Sequence, residues 1–195
     1  MTPTTSEDMD DLARLAADAA EGDPLAAAAL VRATQSDVWR LCATLGDRDA
    51  ADDLTQETYL RAFGSLHRFE ARSSVRTWLL TIARRVCADA LRTRRRRRLT
   101  LVREAADLEL LAPESGGDAV AEGAAVTDLL GRLEPDRREA FALTQLLGLS
   151  YAEAAEVAGC PVGTIRSRVA RARADLVSSL GGVNGSTPGR DVAQS

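Results

Sequence analysis

Residues 150–173, SYAEAAEVAGCPVGTIRSRVARAR, read as two helices broken by one tight turn. Ser150 with Glu153 three residues on is a capping box: the hydroxyl serves a free backbone N–H inside the helix and the carboxylate returns to the cap. The short helix that follows carries Tyr151, Ala154, Ala155, Val157 and Ala158. Gly159-Cys160-Pro161 makes the turn, with Pro161 expected at the first position of the next helix. That helix sets Ile165, Val169, Ala172, Leu176 and Leu180 on one stripe. Its other faces carry Thr164, Arg166, Ser167, Arg168, Arg171 and Arg173. A short capped helix, a turn of three residues and a longer Arg-rich helix make a helix-turn-helix. Such a second helix fits the major groove of duplex DNA. Thr164, Ser167 and Arg168 are the candidates for base or near-base contact, and Arg166, Arg171 and Arg173 for phosphates. The competing reading is the solvated face of an ordinary three-helix bundle.

Working outward, a helix from Pro135 passes through Phe141, Leu143 and Leu146 and ends at Gly148. Residues 127–180 thus form one small domain. Pro113, Glu114, Ser115, Gly116 and Gly117 centre a flexible linker, residues 99–126. Before it, residues 23–98 form a second helical domain. Asp23-Pro24 opens a helix to about Leu45, with Leu25, Leu30, Val38, Leu41, Cys42 and Leu45 apolar along it and Gly46 at its end. The next helix, about Asp49 to Phe63, has Ala51, Leu54, Thr55, Thr58, Ala62 and Phe63 as its expected inward stripe. Gly64 to Arg72 reads as a loop. A long helix from Ser74 to about Arg96 buries Trp78, Leu79, Ile82, Val86, Ala90 and Leu91. Residues 1–22 are expected to be a disordered end or at most a short helix, and 181–195 a disordered tail.

Composition agrees with an all-α chain. Of 195 residues, 35 are Ala, and all 25 basic residues are Arg; both types favour helix, while aromatics, which enrich strands, supply 4%. The net charge of -4 hides blocks. Residues 47–57 hold Asp47, Asp49, Asp52, Asp53 and Glu57 against Arg48. Residues 61–98 hold twelve Arg against Glu70 and Asp89. Phosphates respond to the local patch, so an acidic total does not exclude DNA. Cys42, Cys87 and Cys160 lie far apart and His67 is the lone His, so no metal site or cofactor is expected. An odd cysteine count suits a reducing, cytoplasmic setting. No apolar run is long enough for membrane insertion. No catalytic arrangement forms around His67 and no Gly-rich phosphate loop is present, so no enzymatic activity is expected.

Two blocks of residues carry a resemblance. The first is Asp52-Asp53-Leu54-Thr55-Gln56-Glu57-Thr58-Tyr59-Leu60-Arg61-Ala62-Phe63, followed by Trp78-Leu79, Ile82-Ala83-Arg84, Asp89 and Arg92. The second is Leu133, Pro135, Ala140, Leu149 through Ala155, and Gly163-Thr164-Ile165-Arg166-Ser167-Arg168-Val169 with Ala172-Arg173. In this order the chain resembles the extracytoplasmic-function group of bacterial sigma-70-like initiation factors. The resemblance implies a factor that binds core RNA polymerase and directs promoter-specific initiation. Asp52, Asp53, Gln56, Glu57 and Leu60 would dock on a coiled coil of the clamp-forming largest subunit, with neighbouring subunits alongside. His67, Phe69, Arg76, Arg84, Arg85, Asp89 and Arg92 would lie where the family captures the melted -10 strand. Thr164, Arg166, Ser167, Arg168, Arg171 and Arg173 would read the -35 duplex. Many family members carry Asn after the Ile-Ala-Arg triplet, where this chain has Arg85. The resemblance also implies an anti-sigma factor as partner beside promoter DNA.

The residues themselves are in keeping with these roles. Asp52 and Asp53 repel phosphates and suit a basic protein partner, whereas the arginines of 61–98 attract a DNA backbone and Phe69 offers a ring for stacking. The rival reading is a conventional helix-turn-helix regulator that binds duplex operator DNA without polymerase.

Overall fold

The computed structural model describes residues 6–46, 48–105 and 129–181, all of it helix, turn or loop. In chain order the helices are α1 (Ser6–Ala20), α2 (Pro24–Leu45), α3 (Ala51–Ser65), α4 (Val75–Ala105), the turn α5 (129–131), α6 (Pro135–Phe141), α7 (Tyr151–Ala158) and α8 (Val162–Gly181). Single 3-10 turns, Arg48–Ala50 and Leu66–Arg68, flank α3. The fold is all-α: two helical bundles, the second containing the helix-turn-helix α7–α8.

Local chemistry sets the element ends. Asp23 accepts from Leu25 N–H at 2.8 Å with Pro24 in the first turn, so α2 starts where its free N–H groups are served. At the other end Gly46 donates to the Cys42 carbonyl at 2.8 Å. A Cβ on Gly46 would meet Leu54 Cδ1 at 2.6 Å, so glycine is there for space. Ser150 and Glu153 form both halves of the capping box, and Gly159 closes α7 in the left-handed region at φ 65°. Pro161 precedes α8 and its carbonyl accepts from Thr164 and Ile165; the helix therefore begins one residue later than expected.

In the first bundle α2, α3 and α4 pack together and α1 lies across α2 and α4. Leu30, Val38, Leu41, Leu79, Leu80 and Val86 are its most buried large side chains; each full burial of this kind contributes about 1.5–3 kcal/mol. Tyr59 fills the space between α2 and α3. Its hydroxyl lies 2.7 Å from Thr34 Oγ1, which itself donates to the Leu30 carbonyl, so Tyr59 is the donor. Burial pushes the Tyr59 phenol up from its ordinary pKa. In the second bundle Leu143, Ile165, Val169 and Ala172 are fully enclosed.

The two bundles share one apolar core. Helix α7 packs on α4, and α6 packs on α2. Between α6 and the Gly148 turn, residues Ala142–Leu146 form a single π-helical turn.

Of the two forms expected for the N-terminal end, residues 6–20 take the helix: Ala16 is buried and Leu12, Leu15 and Ala19 pack on the core, giving α1 an apolar stripe to bury. Other expectations change. The inward face of α3 uses Tyr59, while Phe63 stays 36% exposed and stacks against the Tyr59 ring, centroids 6.2 Å apart. On α4, Leu91 is 44% exposed, and Val75, Leu80, Ala83 and Cys87 take the buried positions instead. The linker starts later than residue 99, because no Gly or Pro interrupts the helix-favouring Arg run and α4 reaches Ala105. The rest of that expected linker (106–126), the first two residues of the expected C-terminal domain, and the tail 182–195 lie outside the described residues.

Candidate functional site

Three surfaces carry the residues singled out in the sequence. The first is the outer face of α3. Asp52, Asp53 and Gln56 are exposed, Glu57 is half-buried, and Leu60 is 63% exposed. Steps of three and four bring Asp53, Gln56, Glu57 and Leu60 together on the helix. The two carboxylates sit in the first turn, where the helix dipole favours negative charge. Trp39 of α2 donates its indole N–H to Asp52 Oδ1 at 2.8 Å, which fixes that carboxylate beside a shallow groove lined by Val31, Gln35, Thr55, Gln56 and Tyr59. No spacing in the sequence marks Trp39 for this role.

The second surface is the α3–α4 connection and α4. His67 is exposed and accepts from Arg68 Nε at 3.1 Å. Phe69 is half-buried with its ring tilted against Trp78, centroids 5.1 Å apart. Both aromatic rings thus serve each other and the core edge. Along α4 the arginines divide. Arg85, Asp89 and Arg92 share an outward face at steps of four and three. Asp89 accepts from Arg61 at 2.8 Å and from Arg92 at 2.6 Å. These two guanidinium donors, Arg61 first, hold its carboxyl below the usual range. Arg61 also donates to Glu57 at 2.7 Å, so one arginine ties the acidic face of α3 to α4.

Arg76 and Arg84 turn instead toward the helix-turn-helix unit. Arg76 donates to Asp37 of α2 at 2.7 Å and to the Leu147 carbonyl at 2.6 Å. Arg84 pairs with Glu139 of α6 through Nε, with a second contact from Nη2 at 3.4 Å. Glu139 is 7% exposed, and its hydrogen bond raises the Arg84 pKa further. Glu139 and Asp37 escaped the sequence reading, because a carboxylate on a polar helix face gives no sign of a partner dozens of residues away.

The third surface is the N-terminal half of α8. Arg166, Ser167, Arg171 and Arg173 are exposed, and Thr164 and Arg168 half-buried. Thr164, Ser167 and Arg171 fall on one face. Ser167 donates to the Thr164 carbonyl at 2.9 Å, leaving its lone pairs outward. Arg168 pairs with Asp136 of α6, and Arg173 donates to Gln145 at 2.8 Å. Arg166 and Arg171 project from a rigid helix whose opposite stripe, Ile165, Val169 and Ala172, is sealed in the core.

An exposed acidic helix face beside an Arg-bearing helical bundle, followed by a helix-turn-helix with an Arg-bearing second helix, has the chemistry of a DNA-binding protein that also meets a protein partner. Sigma-70 region 2 matches residues 30–97, and Sigma-70, region 4 matches residues 123–176. The ECF RNA polymerase sigma factor SigC of Mycobacterium tuberculosis is 53% identical over 178 residues, covering 91% of this chain and 95% of the relative. The RNA polymerase sigma factor CnrH of Cupriavidus metallidurans is 36% identical over 138 residues, 66% of this chain and 72% of the relative. The structure of CnrH in complex with the cytosolic domain of CnrY superposes with a TM-score of 0.68 at 31% identity, covering 90% of this chain and 99% of that one.

The chain belongs to the extracytoplasmic-function sigma factors of the sigma-70 family. It is accordingly a factor that binds core RNA polymerase and directs promoter-specific initiation, and it catalyses no covalent step itself. The rival of a conventional operator-binding regulator is set aside by the region 2 match, which such a regulator does not require. Among the described residues no helix is long and apolar enough to cross a membrane.

Proposed function

We propose the following division of labour within this sigma factor. Asp52, Asp53, Gln56, Glu57 and Leu60 of α3 dock on the clamp-forming largest subunit of core polymerase. His67, Phe69, Arg76, Arg84, Arg85, Asp89 and Arg92 engage the melted -10 strand, with Arg85 and Arg92 on its phosphates. Thr164, Ser167 and Arg168 face the bases of the -35 duplex, and Arg166, Arg171 and Arg173 its phosphates. The observation that carries this reading is the separation of charge. The α3 face presents carboxylates and an exposed Leu60, while α4 and α8 present arginines, so a basic protein surface and a polyanion are drawn to different sides.

Arg76, Arg84 and Arg168 are engaged by Asp37, Glu139 and Asp136 in this structure. For them to reach DNA, Arg84 must leave Glu139 as the two bundles part, Arg76 must give up Asp37 within its own bundle, and Arg168 must exchange its carboxylate for a base or phosphate. An anti-sigma factor is the further partner: CnrH was solved with the cytosolic domain of CnrY, and RpoE of Bartonella quintana with the anti-sigma factor NepR. The setting is the cytoplasm, where polymerase and promoter are.

The test is run-off transcription with purified core polymerase on a promoter library. Replacing Asp53 and Gln56 together by Ala should abolish co-purification with core polymerase while leaving duplex -35 binding intact. Replacing Arg168 by Ala should keep polymerase binding and lose the upstream-element preference. Equal loss of polymerase affinity in both variants would refute the assignment.

A further inference from the structure

Where the two bundles meet, a cleft of about 530 Å3 opens between the end of α2, the middle of α4 and the start of α6. That volume is in the range of small-molecule sites, which combine apolar walls with a few polar groups. Leu45, Leu91 and Pro135 give the cleft its apolar side. Leu91, expected in the core but 44% exposed, opens onto this space. Docking on polymerase and reading of the promoter make no use of such a cavity.

The charge of the lining is unbalanced. Arg84, Arg94, Arg95 and Arg138 line the cleft together with two carboxylates, Asp136 and Glu139. Both carboxylates are already engaged: Glu139 holds Arg84, and Asp136 holds Arg168, which lies outside the lining. Arg138 is half-buried and donates through Nη2 to the Gly131 and Leu133 carbonyls at 2.5 and 3.1 Å. Its Nε is buried without a partner. Burial lowers its pKa, and no neighbouring carboxylate offsets that effect. A guanidinium taken from water without a counter-charge is a standing cost, which a bound anion removes. Arg95, exposed on α4, adds a second positive charge at the same cleft.

We propose that the cleft between the bundles binds a nucleoside diphosphate, its phosphates on Arg95 and Arg138 and its base on the apolar side. Guanidinium forks match phosphate oxygens in pairs. Two arginines call for more than one negative charge, which a diphosphate carries and a single carboxylate does not. The apolar side calls for a ring to cover Leu45, Leu91 and Pro135, which a bare inorganic anion lacks. Aliphatic side chains do not read the edge of a base, so the site selects a ring joined to a diphosphate and not one particular ring. Because α4 supplies one wall and α6 the other, the packed form of the chain binds the ligand and is stabilised by it. At a ligand concentration a hundredfold above Kd, mass action favours the packed form by about a hundredfold.

The experiment is calorimetric titration of the full chain with adenosine diphosphate, beside adenosine and inorganic pyrophosphate as the two halves of the ligand. The expected result is one saturable site for adenosine diphosphate, with each half at least tenfold weaker. In methyl NMR the Leu45 and Leu91 signals should move with saturation, while those of the exposed Leu60 and Val177, outside the cleft, should stay. Arg95→Ala and Arg138→Met should each weaken binding at least tenfold. Arg32→Ala, which removes an exposed arginine of α2 outside the cleft, should leave it unchanged. Arg138 also serves two carbonyls, so if its variant fails to fold, Arg95→Ala decides. Lack of saturation by adenosine diphosphate, pyrophosphate binding as tightly as the whole ligand, or equal losses in Arg32→Ala and Arg95→Ala would overturn the proposal.

Discussion

Removing the Glu139 carboxylate should separate the two bundles. Glu139 is its bundle's anionic contact to Arg84 of α4, and the pair is unevenly buried, 9% open on the Glu139 side chain and 35% on Arg84. Deleting one partner of a fully buried pair costs about 3–5 kcal/mol, and an exposed pair is worth about 0–1 kcal/mol. A pair between these limits gives about 2 kcal/mol for Glu139→Ala, or roughly a thirtyfold shift from packed toward separated bundles. Glu139→Gln keeps one acceptor for the Arg84 guanidinium and should shift the balance less. The distribution of distances between a spin label on the outer face of α3 and one on α8 reads this directly. It should be narrow in the wild type and gain a long-distance component in Glu139→Ala. Affinity for a single-stranded -10 oligonucleotide should rise with that component, since Arg84 is released. An unchanged distance distribution, with only the unfolding midpoint lowered, would refute the reasoning. It would mean that Glu139 supports its own bundle and does not hold Arg84.

Three further outcomes follow from local geometry. Gly46→Ala should lower stability by about 1–3 kcal/mol, measured by urea unfolding, because its Cβ would meet Leu54 Cδ1 at 2.6 Å and the Cys42 carbonyl oxygen at 2.8 Å. Ser150→Ala removes the hydroxyl that accepts from Glu153 N–H at 3.2 Å and should cost about 1 kcal/mol, seen as a fall in Tm and weaker -35 binding. Asp89, whose pKa is depressed by Arg61 and Arg92, should stay ionised below the midpoint of a free Asp. Its ties to both arginines are complete above the ordinary carboxylate pKa and are lost as pH falls through the depressed one. In Arg61→Ala the NMR midpoint of Asp89 should move back up.

The parts of this structure that were legible in the sequence are those set by neighbours a few residues apart. The Ser150–Glu153 box, the Gly159 turn and the stripe Ile165, Val169, Ala172 are written in local spacing, and so is the Asp23-Pro24 start of α2. The acidic face of α3 was legible because charge on an exposed helix needs no partner to be read. Tyr59 and Phe63 were confused because both sit four residues apart on adjoining rows; the buried Thr34 hydroxyl, 25 residues away, selects Tyr59. The π-helical turn leaves no local mark. The arginines proposed to meet the promoter looked equivalent in sequence, yet Asp37 and Glu139 draw Arg76 and Arg84 to one side while Arg85 and Arg92 remain on the other. Such selection depends on tertiary neighbours that no spacing rule contains.

The Arg76 contact to the Leu147 carbonyl has its own consequence. That oxygen stands at the C-terminal end of the 142–146 turn, where a helix leaves acceptors without donors. The first bundle therefore lends the second a cap. Excised from its neighbour, the helix-turn-helix unit would keep its own box and its Gly159 turn but surrender this borrowed donor to water. Amide protons around Leu147 and Leu149 would then exchange with solvent faster than in the intact chain, marking where one half of the molecule finishes the other's helix.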